Sequence, residues 1–199
     1  ELTCYQQEYE ITHSLNADSV VKAYDLQRHE NSLIMFLEDF GGQSLKFLLT
    51  QGKLSLEDFL TIAIKITEGL AAVHQANIIH KDINPSNIVY NSQTGQLKII
   101  DFGIATRLSK EFTAVLSPNQ LQGTLAYIAP EQTGRMNREL DYRCDFYSLG
   151  VTLYELLTHK LPFETTDPME LVHCHIAQEP FPLHKPVSYT HLRAHETDS

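Results

Sequence analysis

The sequence predicts an α+β domain, and three features of its patterning carry that expectation. Helical periodicity and β-rich runs share the front of the chain, helical patterns dominate the back, and irregular polar segments lie between them. With 199 residues and 42% hydrophobic content, the chain can bury one sizeable core and is too short for two comfortable ones.

Leu2, Tyr5, Tyr9 and Leu15 recur at roughly helical spacing, and Asn16 to Asp18 break the pattern, so a first helix ends there. Two β-rich stretches follow, Ser19 to Tyr24 and Ser32 to Leu37, with the polar segment Gln27 to Asn31 read as their connection. Gly41 and Gly42 release the second strand. Ser55 with Asp58 makes a capping-box start for a long helix whose buried stripe is expected to be Leu56, Phe59, Leu60, Ala63, Ile66, Leu70 and Val73. Short strands are expected at Ile78 to Ile79, Ile88 to Tyr90 and Leu97 to Ile100, the last two joined by the turn-rich NSQTGQ. Phe102 to Arg138 is long, polar and aperiodic, the mark of a mobile, exposed, functional loop. Asp145 to Thr158 is apolar on almost every side, as a central helix is, and Pro168 to Gln178 reads as a further surface helix.

Composition excludes several classes. A formal net charge of -10 argues against a nucleic-acid or anionic-membrane partner, since both are held by clustered Lys and Arg. The three cysteines, Cys4, Cys144 and Cys174, are scattered without metal-ligand spacing, so neither a disulfide framework nor a zinc site is expected. No apolar run reaches the length of a membrane span, and the start lacks the regions of a signal peptide, so the expectation is a soluble cytoplasmic protein. The missing initiator Met points to a piece of something longer.

The segment IIHKDINPSNIVY holds His80, Asp82 and Asn87 in the spacing H-x-D-x-x-x-x-N, with a carboxylate and an amide at opposite ends of one tight loop. DFG follows at Asp101, Phe102 and Gly103, directly after the apolar LKII. GTLAYIAPE then supplies Gly123, Thr124, Tyr127, Ala129, Pro130 and Glu131, and DFYSLG sets Asp145 at the start of the central helix. As ordinary turn and cap residues these would not fall together in this order.

In that order the motifs resemble a eukaryotic-type serine/threonine protein kinase domain, over residues 1 to about 183. The resemblance implies a two-lobed fold with an incomplete N-lobe, consisting of one helix, two strands and the connector, over 1–40. A mainly helical C-lobe would span 41–186, with its catalytic loop at 80–87 and its activation segment at 101–131. It implies transfer of the ATP γ-phosphate to protein Ser or Thr hydroxyls, a reaction that depends on positioning and charge neutralisation. Asp82 would accept the hydroxyl proton, and Asn87 and Asp101 would hold Mg2+ as hard oxygen ligands. Glu8 matches the helix glutamate that pairs with an ATP-contacting lysine, Leu37 the residue behind the adenine pocket, and Glu38 and Phe40 the connector whose main chain binds adenine. Thr124 and Tyr127 match the loop that docks a peptide, and Ser109, Thr113 and Ser117 are candidate phosphate acceptors. EQTGRMNRELDYR is similar to large bacterial signalling proteins in which a kinase domain precedes P-loop ATPase, GAF and histidine kinase regions, implying downstream domains of the same polypeptide as partners.

Departures are also legible. Lys81 stands where relatives carry Arg beside the catalytic Asp, and a lysine cannot offer the bidentate contact to phosphate. Asn84 replaces the catalytic-loop Lys that touches the transferred phosphate, and is expected to donate a neutral hydrogen bond there or to Thr124. Neither a G-x-G-x-x-G loop nor a strand lysine precedes Glu8, GGQS at Gly41 does not substitute, and Lys22 comes after the helix. The chain alone is therefore expected to be inactive, and a pseudokinase or ATP-binding regulatory module is the alternative to an active enzyme. A small-molecule phosphotransferase is disfavoured by GTLAYIAPE. Residues 187–199, VSYTHLRAHETDS, read as a translated adapter or as a disordered linker. His80 is expected to pack the loop, Arg135, Arg138 and Arg143 to form a solvated face, and the His173, Cys174, His175 run to lie on the surface without a metal.

Overall fold

Helix α1, Leu2–Ser14, begins the computed structural model, which describes residues 2–30, 32–52, 54–108, 125–135 and 140–182. Its inward face is set by Ile11 and, just beyond its end, Leu15, which are 3% and 6% exposed. Tyr5, expected on the same stripe, is exposed, while Ile11 in the later turns enters the core.

The front strands are displaced from expectation. Strand β1 runs Ala23–His29 and pairs antiparallel with β2, Ser32–Leu37, through a turn at Glu30, whose φ is 52°. The polar Gln27 to His29 segment is thus strand: both faces of this two-stranded ribbon are largely open, so no apolar alternation marks it. Val20, expected in the strand, makes an isolated parallel bridge to Ile99 and enters the core.

Gly41, at φ 70°, turns the chain into the two-residue strand β3, Gln43–Ser44. Ser44 then caps a helix missing from the sequence reading, α2, Leu45–Gln51, its hydroxyl accepting from Phe47 N–H. With a single fully buried residue, Leu45, this helix carries little periodic signal.

The long helix α3, Leu56–Gln75, starts as expected, Ser55 Oγ accepting from Asp58 N–H at 3.0 Å. Its buried residues are Ile62, Ile66, Gly69, Leu70 and Val73, whereas Leu56 and Leu60 are 66% and 50% exposed. The apolar surface of this helix is broader than its packed face, so periodicity alone picks the wrong edge. Gly69 permits the close approach of α3 to the sheet, since a Cβ there would meet Ile99 and Ser19 at 3.2 Å.

Strands β4, Ile78–Ile79, β5, Ile88–Tyr90, and β6, Leu97–Ile99, lie where the apolar pieces predicted. The sheet order is β3-β5-β6, and the β5–β6 hairpin closes through Asn91, whose side-chain oxygen accepts from Gln93 and Thr94 N–H. β4 pairs with a further short strand, β7, Thr106–Arg107, inside the stretch expected to be loop.

The described end of that stretch is also not exposed. Two 3-10 turns, Leu125–Tyr127 and Pro130–Thr133, carry the buried Leu125, Tyr127, Ile128 and Ala129. Ser109, Thr113, Ser117, Gly123, Thr124, Arg138 and the 187–199 tail lie outside the described residues.

Helix α4, Arg143–Thr158, and helix α5, Pro168–Ala177, are the last helices among the described residues, the latter capped by Asp167. In α5 the expected surface run is half inside: Cys174 and His175 are 5% exposed, because His175 packs on Tyr147 and Phe163. The core joins α1, α3, α4 and the β5–β6 hairpin around Ile66, Leu70, Ile88, Ile99 and Phe102, all at most 1% exposed. Burying each such side chain contributes about 1.5–3 kcal/mol. The α+β class expected from the sequence is the one observed. No helix among the described residues is long and apolar enough to cross a membrane.

Candidate functional site

A tight loop between β4 and β5, residues 80–87, is built around a buried carboxylate. Asp145, fully buried at the first turn of α4, accepts from His80 N–H at 2.9 Å and Lys81 N–H at 2.7 Å, and lies 2.8 Å from His74 Nε2. That grip holds Lys81 at φ 70°, a conformation costly for a residue with a side chain. His80 packs its ring 4.7 Å from Phe102 and bonds Ile100 O through Nε2, which ties the loop to the DFG segment. The expectation that His80 is a packing residue matches this placement.

Within the loop Asp82 is the hub. Asn84 Nδ2 donates to Asp82 Oδ1 at 2.9 Å and to Asp82 O at 3.2 Å, while Asn84 Oδ1 accepts from Ser86 N–H. Asn87 Nδ2 donates to Asp82 Oδ2 at 2.8 Å and to Asp82 O at 3.0 Å. Both carboxylate oxygens are therefore fixed by amides that are themselves buried. Burial pushes the Asp82 carboxyl up and repulsion from Asp101 adds to this, while His80 and the two amide donors oppose it, with a net rise.

Asp101 sits exposed at φ 64°, its Oδ1 accepting from Gly103 N–H. Glu8 arrives from α1: a Cβ on Gly103 would lie 3.2 Å from Asp101 Oδ1 and 3.6 Å from Glu8 Oε2. Burial, and then the Asp101 charge, raise the Glu8 carboxyl. Asp82, Asn84, Asn87, Asp101 and Glu8 are thus brought into one region, Asp101 acting on both Asp82 and Glu8, without three carboxylates meeting at metal-site geometry among the described residues. Asn87 and Asp101 have the donor chemistry for a divalent cation: both offer hard oxygens, and Asn87 spends its Nδ2 on Asp82, leaving Oδ1 over as a ligand.

Leu37 ends β2, and Glu38 and Phe40 lie on the segment that leaves it. Leu37 is 43% exposed at the end of the ribbon, opposite Ala23. Glu38 N–H donates to Lys22 O, and its carboxylate lies 3.1 Å from Lys98 Nζ. Burial works to raise the Glu38 carboxyl, but hydrogen bonds from Lys98 and Lys22 N–H and their charges prevail and lower it. Phe40 O accepts from Asn91 Nδ2, and the Phe40 ring lies under Lys98 Nζ.

Three functional placements escaped the sequence reading. Lys98, a lysine inside the apolar LKII, is 3% exposed and also donates to Asp18 O, so the charge that broke the apolar run was the available signal. Tyr127, expected at a peptide-docking loop, is buried, its hydroxyl donating to Glu155, which also pairs with Lys46 at 2.7 Å. Burial and the Glu155 carboxylate raise the Tyr127 phenol. Lys81, expected as a loop cation, is 8% exposed, and burial lowers its ammonium against the opposing charge of Asp145. Among the described residues no group of three His, Cys, Asp or Glu has metal-site geometry.

Comparison with known proteins gives the same answer. The protein kinase domain model matches residues 1–196. PrkC of Bacillus subtilis, a serine/threonine-protein kinase, is 32% identical over 177 residues, covering 88% of this chain and 26% of the relative. PknB of Mycobacterium leprae is 32% identical over 183 residues, covering 89% and 29%. A probable serine/threonine-protein kinase of Streptomyces coelicolor is 34% identical over 181 residues, covering 88% and 26%. The chain spans about a quarter of the length of these relatives. On the fold, the loop built around Asp82 and the match along nearly its whole length, the chain belongs to the protein kinase domain family.

Proposed function

We propose that the protein carrying this domain transfers the γ-phosphoryl group of ATP to Ser or Thr hydroxyls of a protein substrate. The observation that carries this reading is the Asp82 carboxylate, held on both oxygens by Asn84 and Asn87 in a buried setting that raises its carboxyl above the ordinary value. The substrate hydroxyl oxygen bonds to the γ-phosphorus, the bond to the β–γ bridging oxygen breaks, and ADP leaves. The hydroxyl proton passes to Asp82, whose carboxylate is fixed on both oxygens by Asn84 and Asn87. Asn87 and Asp101 would hold Mg2+, which supplies neutralisation of phosphate charge when bound. Glu8 would face the lysine that contacts ATP, and Leu37 the back of the adenine pocket. With Glu38 N–H and Phe40 O engaged by Lys22 and Asn91, adenine recognition falls to the connector groups these bonds leave over. The names of the relatives support the Ser/Thr class, and the likeness of 131–143 in sequence to large bacterial signalling proteins supports further domains downstream.

Phosphotransfer by the full-length protein with Mg2+ and ATP tests the reading. Asp82→Asn is expected to abolish transfer while nucleotide binding persists, and retained transfer overturns the assignment of the base. One observation favours a second reading, an ATP-binding regulatory module: Asn84 commits both its donors to Asp82 and places no cation beside the phosphate. ATP binding by the unsubstituted protein with no transfer to any protein would select that reading.

A further inference from the structure

Gln132, in the 3-10 turn that follows the buried Ala129, joins the end of the substrate-side loop to the catalytic loop. Its Oε1 accepts from Ala129 N–H at 3.0 Å, and its Nε2 donates to Lys81 O at 2.9 Å. Lys81 O belongs to the peptide unit that leads into Asp82. The opposite side of Lys81 is gripped by Asp145, whose Oδ1 takes the Lys81 N–H at 2.7 Å. Lys81 is thus pinned through both of its main-chain groups in a left-handed conformation that its side chain disfavours. One pin comes from the central helix and the other from the loop that ends at Ala129. Removing either lets φ at Lys81 relax, and rotation there swings the Asp82 carboxylate.

We infer that Gln132 is a positioning residue that couples the placement of the 125–133 segment to the orientation of Asp82. The inference rests on the reading of Asp82 as the base. A glutamine serves because it presents an acceptor and a donor from one planar group, matching an N–H on its own loop and a C=O on the other. Because Ala129 is fully buried beside Cys144 and Ile79, a shift of the loop is transmitted through this amide to Lys81. A segment seated differently would leave Lys81 O without its donor and Asp82 misaligned.

The test uses the full-length protein with a peptide substrate and reads single-turnover phosphoryl transfer beside the Kd for ATP. Gln132→Met removes both bonds at similar volume and is expected to slow transfer about 10- to 100-fold with the ATP Kd unchanged. An unchanged transfer rate in that variant overturns the inference. Gln132→Glu keeps the acceptor for Ala129 N–H but sets a carboxylate against Lys81 O until it is protonated and becomes a donor. Its rate, taken as a ratio to the unsubstituted protein so that Asp82, Lys81, Glu131 and Asp145 cancel, is expected to recover as pH falls. If Gln132→Met weakens transfer and ATP binding together, this ratio decides: recovery supports the coupling, and a flat ratio overturns it. Asp82→Asn, run alongside, separates the two failures, because transfer retained there removes the base assignment itself.

Discussion

Lys98 and Glu38 form an ion pair, 3.1 Å apart, in which the lysine side chain is only 3% exposed. The same Nζ donates to Asp18 O at 2.9 Å and sits 5.6 Å from the centroid of the Phe40 ring. One buried cation on β6 therefore holds both the segment after α1 and the connector after β2.

Lys98→Met is expected to cost about 2–3 kcal/mol, because it strips a partly buried carboxylate and the Asp18 carbonyl of their donor. Combined with Glu38→Gln in a double-mutant cycle, the coupling read from denaturant unfolding should reach about 1 kcal/mol or more. The ATP Kd of Lys98→Met should rise, since Glu38 and Phe40 lose their common anchor.

Tyr127→Phe deletes the hydroxyl that donates to Glu155, while Lys46 still pairs with that carboxylate. The expected loss is about 1–3 kcal/mol, or roughly 2–9 °C in Tm by thermal unfolding for a chain of this size. Lys46→Met should cost less, about 1 kcal/mol or below, because its side chain is 51% exposed and screened by water.

Asp145→Ala leaves His80 N–H and Lys81 N–H unpaired inside the protein. A loss of about 3–5 kcal/mol in unfolding free energy is expected, with transfer lost alongside. A variant of unchanged denaturant midpoint would contradict the role given to this carboxylate.

Asp82 and Glu8 both have carboxyls raised above their ordinary values, burial being the leading cause in each. Above the raised values the folded protein carries the full cost of both charges. As pH falls through them the folded state binds protons before the unfolded state does, so stability rises until the ordinary values near 4 are reached. In metal-free buffer, Asp82→Asn and Glu8→Gln should each be more stable than the unsubstituted protein at neutral pH. Each should also lose part of that gain on acidification, as followed by urea midpoints across a pH series.

The long helix, the three short strands after it and the central helix could be read from the sequence because each carries a strong local signal: a cap, an apolar run, a turn. The ribbon β1 could not, since both its faces are open and alternation is erased. The helix α2 was hidden by its brevity, and the packed edge of α3 by the excess of apolar residues around it. The order of His80, Asp82, Asn87, Asp101 and Ala129 to Glu131 determined the family, because those residue types at those spacings belong to the chain itself.

What tertiary structure alone decided is which groups meet. Lys98 with Glu38, Tyr127 with Glu155 and Gln132 with Lys81 are separated by 60, 28 and 51 residues, and no periodicity relates them. Each pair exists because the core brings two elements within hydrogen-bond reach, where an unpaired polar group would cost more than the pairing. Spacing along a chain records local geometry, while these contacts record packing.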